Sequence, residues 1–103
     1  MPSVDFSYLE GFLGGDRAIV LEVLALFRQQ AGEWAPRLES GPEAADADWR
    51  ALAHTIKGAA RGIGANPLGD ACQTAEFGQP ADLAPVRVEL AAAVAAIAAY
   101  MAE

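Results

Sequence analysis

Apolar residues recur along the chain at helical spacing, and glycine and proline cut the pattern into segments. A short apolar-rich segment from Phe6 to Leu13 ends at Gly14-Gly15, where Asp16 is placed to cap a second helix. In that helix Ile19, Val20, Val23, Leu24, Phe27, Ala31 and Trp34 predict one wide buried stripe. Gly32 and Pro36 weaken it, so it either kinks near Pro36 or stops before a Ser40-Gly41-Pro42 loop. A third helix opens around Asp46 or Asp48 and runs to Ile63, with Gly64 just beyond it. Asn66-Pro67 reads as the cap and first position of a fourth helix, which carries Leu68, Ala71, Cys72 and Ala75 and closes at Gly78-Gln79-Pro80. Asp82 is placed to cap the last helix, where Leu83, Val86, Leu90, Val94, Ile97 and Met101 keep the period and Pro85 fits the first turn.

No stretch alternates apolar and polar residues long enough to suggest a strand, so the expected class is all-α. A short leading helix and four longer ones with short loops most economically form an antiparallel up-and-down four-helix bundle. The alanine-rich tract from Ala91 to Ala99 reads as a close-packing helix face. At 103 residues and 53% hydrophobic content, residues 1–103 are expected to be a single domain with one core.

Charge narrows the function. A net charge of −7 argues against nucleic acid or an anionic membrane surface as the main partner, because both attract basic patches. Any bound anion must therefore meet a local positive spot. The lone Cys72 excludes an internal disulfide and a cysteine-built metal site, and it suits a reducing compartment. No basic leader region precedes the first apolar residues, and no apolar run approaches the ~20 residues of a membrane span. The expectation is a cytoplasmic protein that is not embedded in a membrane.

The third helix holds the candidate chemistry. At about 100° per residue, Trp49, Leu52, Ala53, Ile56, Ala59, Ala60 and Ile63 gather in one buried arc, and His54 falls roughly 150° from its centre. His54 is thus a surface histidine, and its neighbourhood decides between an idle role and a functional one. Lys57, Gly58 and Arg61 share its face. Lys57 is the chain's single lysine, so an acidic protein places two cations, Lys57 and Arg61, where a phosphoryl group on His54 would need compensation. Gly58 costs up to about 1 kcal/mol relative to alanine within a helix, a cost that makes sense if a side chain there would obstruct an approach to His54. Arg50 borders the face but is read as a solvated surface arginine and left outside the site.

The run His54-Thr55-Ile56-Lys57-Gly58-Ala59-Ala60-Arg61-Gly62-Ile63-Gly64-Ala65, followed by Leu68, Cys72 and Glu76, resembles the signature of histidine phosphotransfer (HPt) domains of two-component phosphorelays. Gly14-Gly15-Asp16 before a long amphipathic helix resembles the family as well, so the likeness spans most of the chain. The resemblance implies phosphorylation of His54 on a ring nitrogen, electrostatic help from Lys57, and access past Gly58. It also implies partners, the receiver domains of a hybrid histidine kinase or a response regulator. These bring the phosphorylatable aspartate, an acidic pocket and Mg²⁺, so the domain needs no cofactor of its own and acts as a monomer. Some family members carry glutamine near Glu76. A carboxylate there would repel a phosphoryl group, so Glu76 either points away in a structural contact, the preferred reading, or orients the unphosphorylated imidazole.

The chain lacks a phosphate-cradling G-x-x-x-x-G-K-[ST] loop, an acidic metal cluster and a kinase signature, which leaves it a phosphoryl carrier unable to use ATP unaided. A sensor-kinase phosphoacceptor helix would place an acidic residue directly after the histidine, whereas Thr55 stands here. A metal or haem bundle would need several inward His or Glu side chains. A non-catalytic helical interaction or inhibitor module remains the alternative, because a bundle does not dictate its use.

Overall fold

The computed structural model describes residues 2–103 and is built of helices, with no strand among the described residues. The order is α1 (Phe6–Phe12), α2 (Arg17–Ser40), α3 (Asp46–Gly62), α4 (Asn66–Glu76) and α5 (Leu83–Met101). Short 3₁₀ turns at Gly41–Glu43 and Pro80–Asp82 link α2 to α3 and α4 to α5. Cross-helix contacts give the directions. Lys57 meets Gln73 while Arg50 meets Glu76, so α3 and α4 run antiparallel. Arg17 reaches Tyr100 while Arg87 reaches Leu38, so α2 and α5 do too. The four long helices thus form an antiparallel bundle with α1 as an addition, the expected class.

The buried stripes meet along the bundle axis. Leu24, Phe27, Trp34 and Leu38 from α2 share one core with Trp49, Leu52 and Ile56 from α3, Leu68 and Cys72 from α4, and Val86, Leu90 and Ile97 from α5. Fully burying a side chain of this size contributes about 1.5–3 kcal/mol relative to leaving it exposed. Ile19 departs from the expected stripe and is 43% exposed. It lies in the first turn of α2, where Asp16 caps the helix by accepting from the Ile19 backbone N–H at 3.3 Å, and Val20 takes the inward position.

Pro36 does not end α2, which continues through it to Ser40. The proline is exposed, and its ring is accommodated on the solvent side of the last turns. Two expected caps form differently. Asn66 is the first helical residue of α4 rather than its cap, and Ala65 in that place makes no side-chain bond. Asp82 stands at the cap position of α5 but makes no side-chain cap bond there; its carboxylate turns back to accept from the Gln79 N–H at 2.8 Å and closes the preceding 3₁₀ turn. The segment Pro80–Met101 does have the length and composition of a membrane span, contrary to the sequence reading. Here α5 is a core helix, with Leu83, Val86, Leu90, Ala93, Ile97 and Tyr100 buried.

The end of α3 is fixed by α1. Gly64 adopts φ +82°, a conformation side chains rarely take, and its carbonyl accepts from the Asp5 N–H at 2.9 Å. A Cβ there would stand 2.9 Å from the Asp5 carbonyl oxygen, so glycine is required on both counts. Phe6 stacks on Tyr100 with centroids 4.3 Å apart, and the Tyr100 hydroxyl donates to Glu10 at 2.9 Å, which ties α1 to the end of α5.

Candidate functional site

The amphipathic pattern of α3 buries Trp49, Leu52, Ala53, Ile56 and Ala60 and leaves His54 outward, its side chain 68% exposed. The antiparallel register lays the last turns of α4 beside it. Both carboxylate oxygens of Glu76 lie 3.2 Å from His54 Nδ1. A carboxylate offers acceptors only, so this contact requires a proton on Nδ1 and, in the neutral ring, leaves the lone pair on Nε2. The preferred reading of Glu76 as pointing away from the site is therefore corrected.

Lys57 also behaves differently from a free surface cation. Its Nζ stands 2.7 Å from Glu76 Oε1 and donates to Gln73 Oε1 at 3.0 Å, and its side chain is only 13% exposed. The Phe77 ring lies beneath it, with the centroid 5.5 Å from Nζ. The Lys57 ammonium holds the Glu76 carboxyl below the usual carboxylate range, partial burial pulls the other way, and the bond to His54 adds to the lowering. Lys57 thus balances Glu76 before any phosphoryl group arrives.

Gly58 faces open space, since a Cβ built there would meet nothing within 4 Å. No helix packs against it, which leaves an unobstructed approach beside His54. Arg61 is directed elsewhere, its Nη2 4.0 Å from Asp70 Oδ1 and its aliphatic stem packed over Gly69 of α4. Seven residues after His54, it sits about 10 Å further along the helix. The structure brings His54, Lys57 and Gly58 together on one face and leaves Arg61 at its edge.

Sequence reasoning ranked the Glu76–imidazole contact second and misread Arg50. A shallow cleft beside the imidazole is lined by Arg50, Ala51, His54, Thr55, Glu76 and Phe77. Arg50 donates to the Glu76 carbonyl at 2.7 Å and the Gly78 carbonyl at 2.9 Å, and its guanidinium lies over the Trp49 ring at 4.3 Å. The signal for it was its place one turn before His54. Its target was invisible until α4 had a register against α3. Cys72 is buried in the same interface, and burial pushes its thiol up to about 12, so it takes no part in chemistry near neutral pH.

The molecule is an antiparallel helical bundle that presents an outward imidazole, with one nitrogen held by a carboxylate and the other facing solvent. The Hpt domain family model matches residues 22–100, and the chain belongs to that family. It is similar to the histidine phosphotransferase ShpA from Caulobacter crescentus, at 50% identity over 96% of this chain and 90% of that one, with a TM-score of 0.81. No curated protein matches the chain. The protein is a histidine phosphotransfer relay protein; members of its family are phosphocarriers that interact with receiver domains.

Proposed function

We propose that His54 is the phosphoacceptor of this relay protein, taking the phosphoryl group on Nε2 from the aspartyl phosphate of a receiver domain and passing it to another. The contact of Nδ1 with both Glu76 oxygens carries this reading, because it fixes the tautomer in which the exposed nitrogen is the nucleophile. The Nε2 lone pair forms the N–P bond as the P–O bond to the aspartate breaks, and the aspartate carboxylate leaves with that electron pair. The Nδ1 proton stays in place. The ring gains positive charge in the step, and the Glu76 carboxylate offsets it where it develops. In the reverse step neutral imidazole departs, again with Nδ1 protonated.

Lys57 serves this chemistry through Glu76, and Gly58 supplies access. The receiver brings Mg²⁺ and the acidic pocket, while this chain acts as a carrier with no ATP chemistry of its own. Its partners are receivers of a hybrid histidine kinase or a response regulator, met by a monomer in the cytoplasm without nucleic acid or membrane. The test is incubation with a phosphorylated receiver. Wild-type protein should gain acid-labile, base-stable phosphate and His54→Gln should gain none; a non-catalytic module of the same fold would bind the receiver and stay unphosphorylated.

A further inference from the structure

We propose that Arg50 is a positioning residue for phosphotransfer, a clamp that holds the end of α4 so that the Glu76 carboxylate reaches His54. The inference rests on the reading of His54 above and adds a residue to its machinery. Arg50, His54 and Lys57 lie at successive turns on one face of α3, and all three contact Glu76. His54 and Lys57 take its carboxylate and Arg50 takes its carbonyl.

Glu76 is the last residue of α4, so its carbonyl has no partner further along the helix. Arg50 supplies one, and its second prong reaches the Gly78 carbonyl beyond the helix end. The planar guanidinium thus fixes two points of the backbone that carries Glu76. The clamp itself is held rigid. Its guanidinium lies on Trp49, whose side chain is 1% exposed and whose Nε1 donates to Asp46 at 3.2 Å. Without Arg50 the terminal turn of α4 is free to fray, because its carbonyls can turn to water. Glu76 would keep Lys57, a flexible partner able to follow it, and would leave the imidazole. More of the His54 rings would then carry their proton on Nε2, the nitrogen that must attack.

The experiment uses the full chain with ¹⁵N-labelled histidine. The ring shifts report the tautomer on the free domain, and receiver-to-domain transfer is timed at saturating receiver. Wild-type protein should show the Nδ1-protonated form. Arg50→Met should populate the Nε2-protonated form and slow transfer by about tenfold to a hundredfold. Arg50→Lys keeps the charge and the aliphatic stem but not the two-pronged grip, so it should behave like Arg50→Met, and it carries the test if that variant fails to fold. In a Glu76→Ala background no carboxylate remains to be placed, and Arg50→Met should change neither tautomer nor rate further. An unchanged tautomer in Arg50→Met, wild-type behaviour of Arg50→Lys, or an undiminished effect in the Glu76→Ala background would each overturn the clamp. The tautomer is read without phosphate, so a failure of His54 to accept phosphate would leave this outcome separately legible.

Discussion

His54 turns Nδ1 toward Glu76, with both carboxylate oxygens at 3.2 Å, while its side chain remains 68% exposed. One edge of the ring is thus held by the protein and the other faces the solvent from which a partner arrives. Glu76 is in turn held by Lys57 at 2.7 Å. The order of dependence runs from Lys57 to Glu76 to the imidazole, and each link makes a separate prediction.

The Lys57–Glu76 pair predicts a pH signature. The Glu76 carboxyl titrates below the usual carboxylate range, chiefly because of the bond from Lys57. Its contribution to stability is therefore fully present above the ordinary carboxylate value of ~4.3 and is lost as pH falls through the lower folded value. Wild-type protein should exceed Glu76→Gln in denaturant midpoint at about pH 5, and the margin should close as pH falls further. A margin that widens below about pH 5 would contradict the pairing.

Lys57→Ala removes the largest cause of the Glu76 shift, so the Glu76 carboxyl should titrate at higher pH than in wild type, as read by carboxyl ¹³C shifts. Transfer should slow at saturating receiver while receiver affinity changes little, because Lys57 is mostly enclosed and offers little surface to a partner. A loss confined to affinity would place Lys57 in the docking surface instead.

Gly58 sets helix propensity against access. A Cβ there meets nothing within 4 Å, so Gly58→Ala should stabilise the domain by up to about 1 kcal/mol. Gly58→Gln should keep or raise the melting temperature and sharply slow transfer to His54, since its side chain would occupy the approach. Equal stability and unimpaired transfer in Gly58→Gln would remove the access role.

Cys72 should be silent in the folded protein. Its thiol is pushed up to about 12 by burial between α3 and α4. A thiol reagent at pH 8 should label it only when denaturant is present. The group is raised, so its contribution to stability is whole below the ordinary thiol value and declines as pH climbs through the folded one. Rapid labelling of native protein would show that this interface opens.

The stripes of α2, α3 and α5 and the outward direction of His54 were legible because a helix turns its residues at a fixed angle, and Val20, Leu24, Ile56 and Ile97 are buried as that rule requires. Local capping chemistry was legible less well. Asp16 caps as expected, whereas Asn66 stands one residue inside α4, and Asp82 holds the cap position of α5 but gives its carboxylate to the Gln79 N–H. The choice between the two roles of Glu76 lay beyond sequence for a different reason. Whether its carboxylate meets His54 depends on the register of α4 against α3, a tertiary quantity that no spacing within either helix encodes. The same holds for Arg50, whose side chain is indistinguishable from a solvated arginine until the end of α4 is placed beside it. Charge counting also misled locally, since Lys57 is balanced by Glu76 and Arg61 faces Asp70.

On the proposed mechanism His54 accepts phosphate through Nε2 while Nδ1 stays bound to Glu76. Its most direct test is nitrogen–phosphorus correlation NMR on the ¹⁵N-histidine protein after incubation with a phosphorylated receiver. A single phosphoramidate coupled to Nε2 of His54, with the proton retained on Nδ1, is the predicted result. Phosphate on Nδ1, phosphate on any other residue, or no phosphate from a receiver that binds the domain would contradict it.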